Sequence, residues 1–401
     1  MPAALIRLIF PPTVLLAALA IYRWLVVEPE PPAVEIIRNA PLVIAPRDGD
    51  PRIVTDEQLV AVLARVKPPA DAVSTNNYVH ALRLWGVDAD FGDERIPTGS
   101  DLRRYFLDDA VFRHFAGDTS PPLFDPARGG IDVRGYDDQT TDRATSSFQT
   151  DDLLATLAET GTPLDSPLVM RDGQATVGDL LKSSLSRFHL DQLEYEWSAI
   201  VYARYLFPQR EWRNKFGERI SVDSLVVELT RHPPQLGPCN GLHRLEALAV
   251  LHRADDQFQA LGRVTRHRML AYLAQSSRAL AAAQLLDGSW SRNWPLGGAA
   301  READVAQPPS LHDKLLVTGH HLEWLALAPE EIQPPREQII RAAQWLAQTL
   351  IEMDEKDLAA SYGPYTHAAR ALCLWRGQEP FEFYQSHTAG NSLQLTATKS
   401  Q

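Results

Sequence analysis

Most of the chain repeats one pattern, in which apolar residues recur three and four positions apart and so line one face of an α-helix. Beyond Thr150 the pattern covers 151–159, 176–187, 190–206, 221–231, 239–252, 256–286, 311–328, 334–352 and 362–376. Earlier in the chain, Ser74–Trp85 and Asp101–His114 carry it too, and the length of 256–286 predicts a break within that span. No stretch alternates apolar and polar residues for long enough to indicate a sheet. The sequence therefore predicts an all-α fold.

Two short motifs are echoed between distant helices. The motif His-x-Leu-Glu-x-Leu-Ala begins at His243 and again at His320, and Tyr-x-His-Ala-x-Arg begins at Tyr78 and again at Tyr365. The echoed helices open with polar residues and continue in Ala, Leu and Trp, whereas the helices between them are more amphipathic. Alternation of inner and outer helices is typical of helical repeat arrays.

One motif carries a family resemblance. Gln284-Leu-Leu-Asp-Gly-Ser-Trp290 fits Gln-x3-Gly-x-Trp and follows a helix rich in Leu and Ala. It resembles the QW motif of squalene cyclases and related terpene cyclases, in the terpenoid cyclase and prenyltransferase-like superfamily. The resemblance implies an irregular α/α toroid, an inner ring of helices within an outer one. The two acidic motifs that start cyclisation in that family, Asp-x-Asp-Asp and Asp-Cys-Thr-Ala-Glu, are missing from the sequence, so terpene cyclisation is not implied.

The N-terminus differs from the rest of the chain. Leu5–Val27 is apolar over about the length that spans a bilayer, so 1–27 is predicted to be a transmembrane signal anchor, or a cleaved signal peptide with the triplet Ala18-Leu19-Ala20. The body would then lie outside the cytoplasm, anchored to the membrane or, after cleavage, secreted. The segments that follow are a Pro-rich linker, the toroid with an irregular insertion, and a polar tail, at 28–54, 55–377 (insertion 116–150) and 378–401.

Composition excludes some classes of function. The formal net charge is -12, and no basic run carries interleaved aromatic residues, which argues against nucleic acid as a partner. The chain has two cysteines, Cys239 and Cys373, so a disulfide-stapled framework is excluded. Because Cys239 would begin its helix and Cys373 would lie deep in another, we expect two free thiols.

The echoed motifs supply the candidate catalytic residues. Inner helices of a toroid run parallel, so their N-termini meet at one end of the ring, which we call the mouth. Helix N-termini favour anions and depress the pKa of histidine, so a neutral imidazole there can act as a general base. The candidates are His80, His243, Glu246, His320, Glu323 and His367.

A metal site is the second prediction for the mouth. Cys239 precedes His243 by four residues, so both side chains share one helix face. A further histidine, His321 or its neighbour His320, would complete three N/S ligands for zinc, with water as the fourth. The predicted metal ligands are Cys239, His243 and His321. Two alternatives remain open, namely acid–base catalysis without a metal and a hydrogen-bonded polar layer with a structural role.

The repeated Tyr-x-His-Ala-x-Arg motif allows a further interpretation. Its tyrosine and histidine are similar to the acid–base group of polysaccharide lyases, and Arg83 and Arg370 could neutralise a carboxylate. The same repetition would also arise from a structural role.

Three functions are consistent with these residues. The first is an enzyme that uses the His/Glu/Cys mouth on a small-molecule or polysaccharide substrate. The second is a non-catalytic toroid that binds a polymer or a protein partner. The third is an isoprenoid-handling protein, for which we expect a mouth lined by Trp, Leu and Phe. Histidines and carboxylates within hydrogen-bonding distance would favour the enzyme.

Overall fold

The computed structural model describes residues 38–47, 49–70, 74–117, 121–127, 130–133, 151–192, 195–236 and 238–388. The predicted membrane or signal helix Leu5–Val27 lies outside these ranges, as does much of the 116–150 insertion. Within the ranges, no helix is both long enough and apolar enough to cross a membrane. The described part is mostly helical, with a few short strands, which confirms the predicted helical class.

Most helices coincide with predicted segments, whereas the short helices at 300–306 and 355–360 were not predicted. The helices are α1 (Asp56–Arg65), α2 (Thr75–Trp85), α3 (Gly99–Leu107), α4 (Asp109–Ala116), α5 (Asp152–Glu159), α6 (Val177–Arg187), α7 (Glu196–Tyr205), α8 (Val222–Leu229), α9 (Leu242–Phe258), α10 (Arg263–Ala283), α11 (Ala300–Ala306), α12 (Leu311–Leu327), α13 (Arg336–Glu352), α14 (Glu355–Ala360) and α15 (Tyr362–Arg376). Short 3₁₀ turns lie at Pro238–Gly241, Trp294–Ala299 and Glu330–Ile332.

Two long predicted helices are divided. The predicted break in 256–286 falls after Phe258, where Gln259 adopts a left-handed conformation with φ 51°. The predicted helix Asp101–His114 is two helices, because Asp108 is extended and its carboxylate accepts from two backbone amides of α4. An Asp that caps a following helix marks the point where one helix ends and the next begins. The role of Asp108 was missed because apolar residues continue on both sides of it.

Within the described residues, three antiparallel hairpins interrupt the helices. They pair β1 (Phe124–Ala127) with β2 (Gly130–Val133), β3 (Pro167–Met170) with β4 (Gly173–Thr176), and β5 (Glu211–Arg213) with β6 (Arg219–Ser221). Strands of three or four residues are too short to display a period of two, so the sequence pattern could not reveal them.

Polar caps define where several helices begin. Thr55, Thr98, Thr176 and Ser221 each accept a hydrogen bond from the third residue of the helix that follows, and the side chain of that residue returns the bond. Such capping boxes satisfy amides that have no partner within the helix.

Six helices contact one another in a closed cyclic order. Each packs on the next in the sequence α2, α5, α7, α9, α12 and α15, and α15 packs back on α2. Other helices cover this ring: α3 lies on α2, α10 on α9, and α13 on both α12 and α15. All ten residues of α7 are buried, as expected for a helix enclosed on every side.

The predicted linker 28–54 packs on the helical body in its described part. The amide of Leu42 donates to the carbonyl of Arg204 at 2.8 Å, and the Arg204 Nη1 donates to the Leu42 carbonyl at 2.9 Å. The amide of Asp50 donates to the carbonyl of Trp375 at 2.8 Å. The described part of 28–54 therefore belongs to the helical body and crosses the C-terminal ends of α7 and α15. The prolines of this segment favour extended backbone but do not prevent it from packing.

The predicted polar tail 378–401 also begins as part of the body. Residues 380–388 are helical, Phe383 is buried, and the ring of Tyr384 lies 5.9 Å from that of Trp85. Residues 389–401 lie outside the described ranges.

The Gln-x3-Gly-x-Trp motif joins two covering helices. At the end of α10, the Gln284 Nε2 donates to the carbonyl of Gly288 at 2.9 Å and to that of Gln338, in α13, at 2.7 Å. The Trp290 indole donates to the carbonyl of Leu280, near the end of α10, at 2.9 Å. Both side chains thus satisfy backbone carbonyls near helix ends.

Candidate functional site

The predicted catalytic residues meet inside the helix ring. Three of its helices, α9, α12 and α15, supply the buried histidines and carboxylates, and α2 supplies a histidine that is partly exposed. Their positions are His80 on α2, His243 and Glu246 on α9, His320 and Glu323 on α12, and His367 on α15.

Glu323 lies at the centre of this group. Its Oε2 accepts from the Nδ1 of His320 at 3.1 Å and of His367 at 2.8 Å, while its Oε1 accepts from Arg370 at 2.9 Å. Burial alone would raise the pKa of Glu323, but His367, Arg370 and His320 hold it well below the ordinary value. The carboxylate therefore stays ionised, as a fully desolvated charge must when it has several cationic or donor partners.

Four imidazole rings form a row beside Glu323. The ring of His367 lies 5.1 Å from His80 and 3.9 Å from His320, and the ring of His320 lies 5.0 Å from His243. Trp197 closes the row, with its ring 4.7 Å from that of His243. With Trp197 included, the row extends across the ring interior from α2 to α7. Its four imidazoles, which can transfer protons, come from four of the six ring helices.

Cys239 completes a set of metal-binding groups at one end of this row. One ligand atom each from Cys239, His243 and His320 lies within 4.8 Å of the other two. A second set, His320, Glu323 and His367, meets the same limit. Tetrahedral zinc, with bonds of about 2.0–2.3 Å, places its ligand atoms roughly 3.5 Å apart. The first set can reach that geometry through small side-chain movements.

Two ring nitrogens in this cluster lack hydrogen bonds. His320 uses Nδ1 for Glu323, and its buried Nε2 has no hydrogen-bond partner within the described residues. The buried Nδ1 of His243 has none there either. A buried polar atom without a partner costs about 1–3 kcal/mol. An ion bound by both histidines would remove that cost.

The backbone around Cys239 is strained. Cys239 and Asn240 adopt left-handed conformations with φ 49° and 57°, and Gly241 follows with φ 76°. A Cβ on Gly241 would overlap the carbonyl oxygen of Pro234, so only glycine fits there. Left-handed non-glycine residues cost about 1–3 kcal/mol and concentrate at functional sites. This conformation holds the partly exposed thiol just before the N-terminus of α9.

His321 does not take part in the cluster. Its Nδ1 accepts from the indole of Trp324 at 2.9 Å, and its ring lies 4.7 Å from that of Trp294. Consecutive helical residues point about 100° apart, so only one of the two histidines can face the ring interior. The metal set that contains Cys239 and His243 therefore needs His320 in place of the predicted His321.

The imidazoles of the cluster differ in charge. Burial alone would lower the pKa of His320, but the nearby Cys239 sulfur, within 4.8 Å, and the hydrogen bond to Glu323 outweigh burial and raise the pKa to about 10. Burial, reinforced by the charge on His320, lowers the pKa of His243 well below the ordinary value. Burial lowers the pKa of His367 in the same way. At neutral pH one imidazole carries the proton, and its neighbours are neutral and able to bind a metal or accept a proton.

Glu246 is poised for acid–base work. Burial, together with the negative charge of Glu323, raises the pKa of Glu246 to about 7. Its Oε1 accepts from Arg370 at 3.2 Å, and its buried Oε2 has no hydrogen-bond partner within the described residues. It lies one turn after His243 on α9. A carboxyl group with a pKa near the working pH suits a general base or acid.

Sequence reasoning missed one central residue, Glu159, at the end of α5. It accepts from Arg370 at 3.1 Å, and its carboxylate lies 2.8 Å from the Nε of Arg83. Glu159 belongs to no recognisable motif. The only signal was the repetition of Arg83 and Arg370, which implies a shared acidic partner.

Both cysteines are free, as expected. Cys239 is partly exposed and Cys373 is buried on α15.

Comparison with known proteins gives no match. No protein family, no curated protein and no solved structure is significantly similar to the chain.

Proposed function

We propose that the chain is an enzyme whose mouth binds one zinc ion through Cys239, His243 and His320. The observation that carries the proposal is the convergence of these three ligand atoms within 4.8 Å of one another. Three N/S ligands leave a fourth position for water or substrate, which is the arrangement of catalytic zinc sites.

The surroundings of the three ligands support this proposal. The Nδ1 of His320 is bound to Glu323, and a carboxylate on the second nitrogen of a ligand histidine fixes its orientation and raises its basicity. His243 is neutral because its pKa is lowered, as a ligand must be. The proton on His320 would leave when zinc binds, so zinc affinity should fall as the pH decreases.

The residues around the ion would divide the chemistry among them. A zinc ion held by Cys239, His243 and His320 would supply a Lewis acid, able to polarise a carbonyl or lower the pKa of a bound water. Glu246, with a pKa near neutrality, accepts or donates the proton. Arg370 contacts both Glu246 and Glu323, at 3.2 and 2.9 Å, and keeps the two carboxylates in place. We infer a hydrolytic or group-transfer reaction on a polar substrate.

We further propose that the architecture is an irregular α/α toroid related to the terpenoid cyclase and prenyltransferase-like superfamily. The closed cyclic contacts of α2, α5, α7, α9, α12 and α15 support it. The C-terminal ends of α2, α5, α7 and α15 line one cavity, as parallel inner helices require. The Gln284 and Trp290 contacts at the end of α10 agree with the role of a QW motif.

The ring interior favours an enzyme over an isoprenoid-handling protein. Hydrogen bonds from His320 and His367 to Glu323 are expected of an enzyme. An isoprenoid-handling protein would instead be expected to have a cavity lined by Trp, Leu and Phe. Location outside the cytoplasm, tethered by Leu5–Val27, remains part of the proposal on sequence grounds.

Metal analysis of the purified full-length protein tests the zinc site. We expect one equivalent of zinc in the wild type and its loss in Cys239→Ser, His243→Ala and His320→Ala. His321→Phe and Cys373→Ser are matched controls, because each alters a histidine or cysteine that lies outside the set, and both should retain zinc. Zinc-free wild-type protein that takes up none on addition, while remaining folded, would end the proposal.

A second candidate is a thiol enzyme in which Cys239 is the nucleophile, protonated His320 is the cation that favours its thiolate, and Glu323 orients His320. The left-handed backbone at Cys239 favours it, since reactive groups are often held in strained turns. Its signature is rapid alkylation of Cys239 by iodoacetamide that is lost in His320→Gln and unaffected by chelators. Under the zinc proposal, a chelator should accelerate alkylation, because the bound ion would otherwise protect the thiol.

A further inference from the structure

A cavity of about 430 Å³ lies at the end of the ring away from Cys239. Its volume falls in the range of roughly 300–1,000 Å³ that is usual for small-molecule sites. Its lining includes Leu42 and Ile44, from the extended segment that crosses the ends of α7 and α15, and Arg83, Arg204 and Arg370, from α2, α7 and α15. The lining thus combines apolar and cationic residues.

The three arginines share a single carboxylate, that of Glu159. The Oε2 of Glu159 lies 2.8 Å from Arg83, and its Oε1 lies 3.1 Å from Arg370 and 3.5 Å from Arg204. Guanidinium groups that converge on one anion form the usual recognition site for carboxylate and phosphate. Glu159 therefore occupies the position that an anionic ligand would seek.

Among the residues that line the cavity, arginines outnumber carboxylates, with four arginines (the three above and Arg47) and two glutamates, Glu159 and Glu379. Carboxylates outside the lining offset part of this charge, since Arg47 pairs with Asp256 at 2.7 Å and Arg83 pairs with Asp152 at 2.6 Å. Arg204 has no such additional acidic partner among the described residues.

Arg204 is the least compensated of the three. Among the described residues, its only ion-pair partner is Glu159, although its Nη1 also donates to the carbonyl of Leu42. Its buried Nε has no hydrogen-bond partner there, and the same is true of the Nε of Arg83. By contrast, Arg83 also contacts Asp152, and Arg370 also contacts Glu246 and Glu323. Burial lowers the pKa of Arg204, and the nearby Arg370 adds to that effect.

Arginines near helix C-termini can simply compensate the helix dipole. That role requires neither a cavity nor a shared carboxylate, and it does not explain a buried guanidinium nitrogen without an acceptor. We propose that this cavity binds a small organic anion, a carboxylate or phosphate group with a short apolar portion, and that Glu159 competes with it for the three arginines. The proposal does not require bound zinc, although Arg370 also contacts Glu246 and Glu323.

Isothermal titration of the full-length protein with hexanoate, inorganic phosphate and hexanol tests this inference. We expect at least one of the two anions to bind with a Kd on the order of 1 mM or tighter, and the tighter of them identifies the ligand class. Hexanol has the apolar chain without the charge and should bind at least 10-fold more weakly than hexanoate.

Variants separate the site from general surface charge. Glu159→Gln removes the competitor and should tighten anion binding about 10-fold, a gain that a dipole-compensating role would not produce. Arg204→Gln should abolish binding. Ile44→Trp should abolish it as well, because the indole would fill the cavity, and this variant serves as the test if Arg204→Gln fails to fold. Arg95→Gln changes an exposed arginine that does not line the cavity; it is the matched arginine control and should change the affinity less than 3-fold. Failure of both anions to bind, or unchanged or weaker binding in Glu159→Gln, would overturn the proposal.

Discussion

Glu246 provides the sharpest test of the electrostatics inside the ring. Its pKa is raised from 4.5 to about 7 by burial and by the charge of Glu323, so the folded protein holds a proton that the unfolded chain releases. A group with a raised pKa contributes stability that is complete below about pH 4.5 and is lost as the pH rises through 7. The change corresponds to about 3 kcal/mol between these limits.

Glu246→Gln removes this titration while it keeps the shape and the oxygen that accepts from Arg370. The unfolding free energy of the variant minus that of the wild type should therefore increase by about 3 kcal/mol from pH 4.5 to pH 8. Urea denaturation of the zinc-free protein at several pH values measures the difference, because a bound cation would lower the pKa of Glu246. Glu382→Gln, on an exposed position, is the control and should follow the wild-type curve. A pH-independent difference, or one that reverses sign, would refute this description of Glu246.

Three further substitutions test other parts of the structure. Glu323→Gln removes a buried charged partner of Arg370 and should lower the unfolding free energy by about 3–5 kcal/mol. The same variant should weaken zinc binding about 10–100-fold in a chelator competition, and an unchanged affinity would show that Glu323 does not orient His320. Gln284→Ala loses hydrogen bonds that join α10 to α13 and should lower stability by about 2 kcal/mol in denaturant titration, whereas Gln378→Ala, on the exposed surface, should leave it unchanged. In Gly241→Ala the new methyl group would overlap Pro234, and alanine would be strained at a φ of 76°. We therefore expect the free energy of unfolding to fall by at least about 2 kcal/mol and the alkylation rate of Cys239 to change. Wild-type behaviour in both assays would contradict the tight turn at Gly241.

The sequence predicted the helices well because their apolar spacing is local. The segment 362–376 was predicted with the bounds that α15 has. The three hairpins were missed because so few residues form each strand, and the packing of 38–54 was missed because its contacts join residues far apart in the chain. The hydrogen bonds between Leu42 and Arg204 illustrate this, since nothing near Leu42 signals them.

The candidate site could be predicted in part. The echo of His243 and His320 indicated that these residues would share one environment, and the ring contacts bring them together. The choice between His320 and His321 depended on how α12 is rotated about its axis, which the sequence alone does not fix. Glu159 was missed because its role arises only when six helices enclose a common interior.

X-ray absorption spectroscopy at the zinc edge tests the central proposal most directly, because it reports the type and distance of each ligand. The proposed site predicts one sulfur at about 2.3 Å and two nitrogens at about 2.0–2.1 Å, with one further light atom. The sulfur contribution should vanish in Cys239→Ser. A spectrum without sulfur, or one that Cys239→Ser leaves unchanged, would contradict the site.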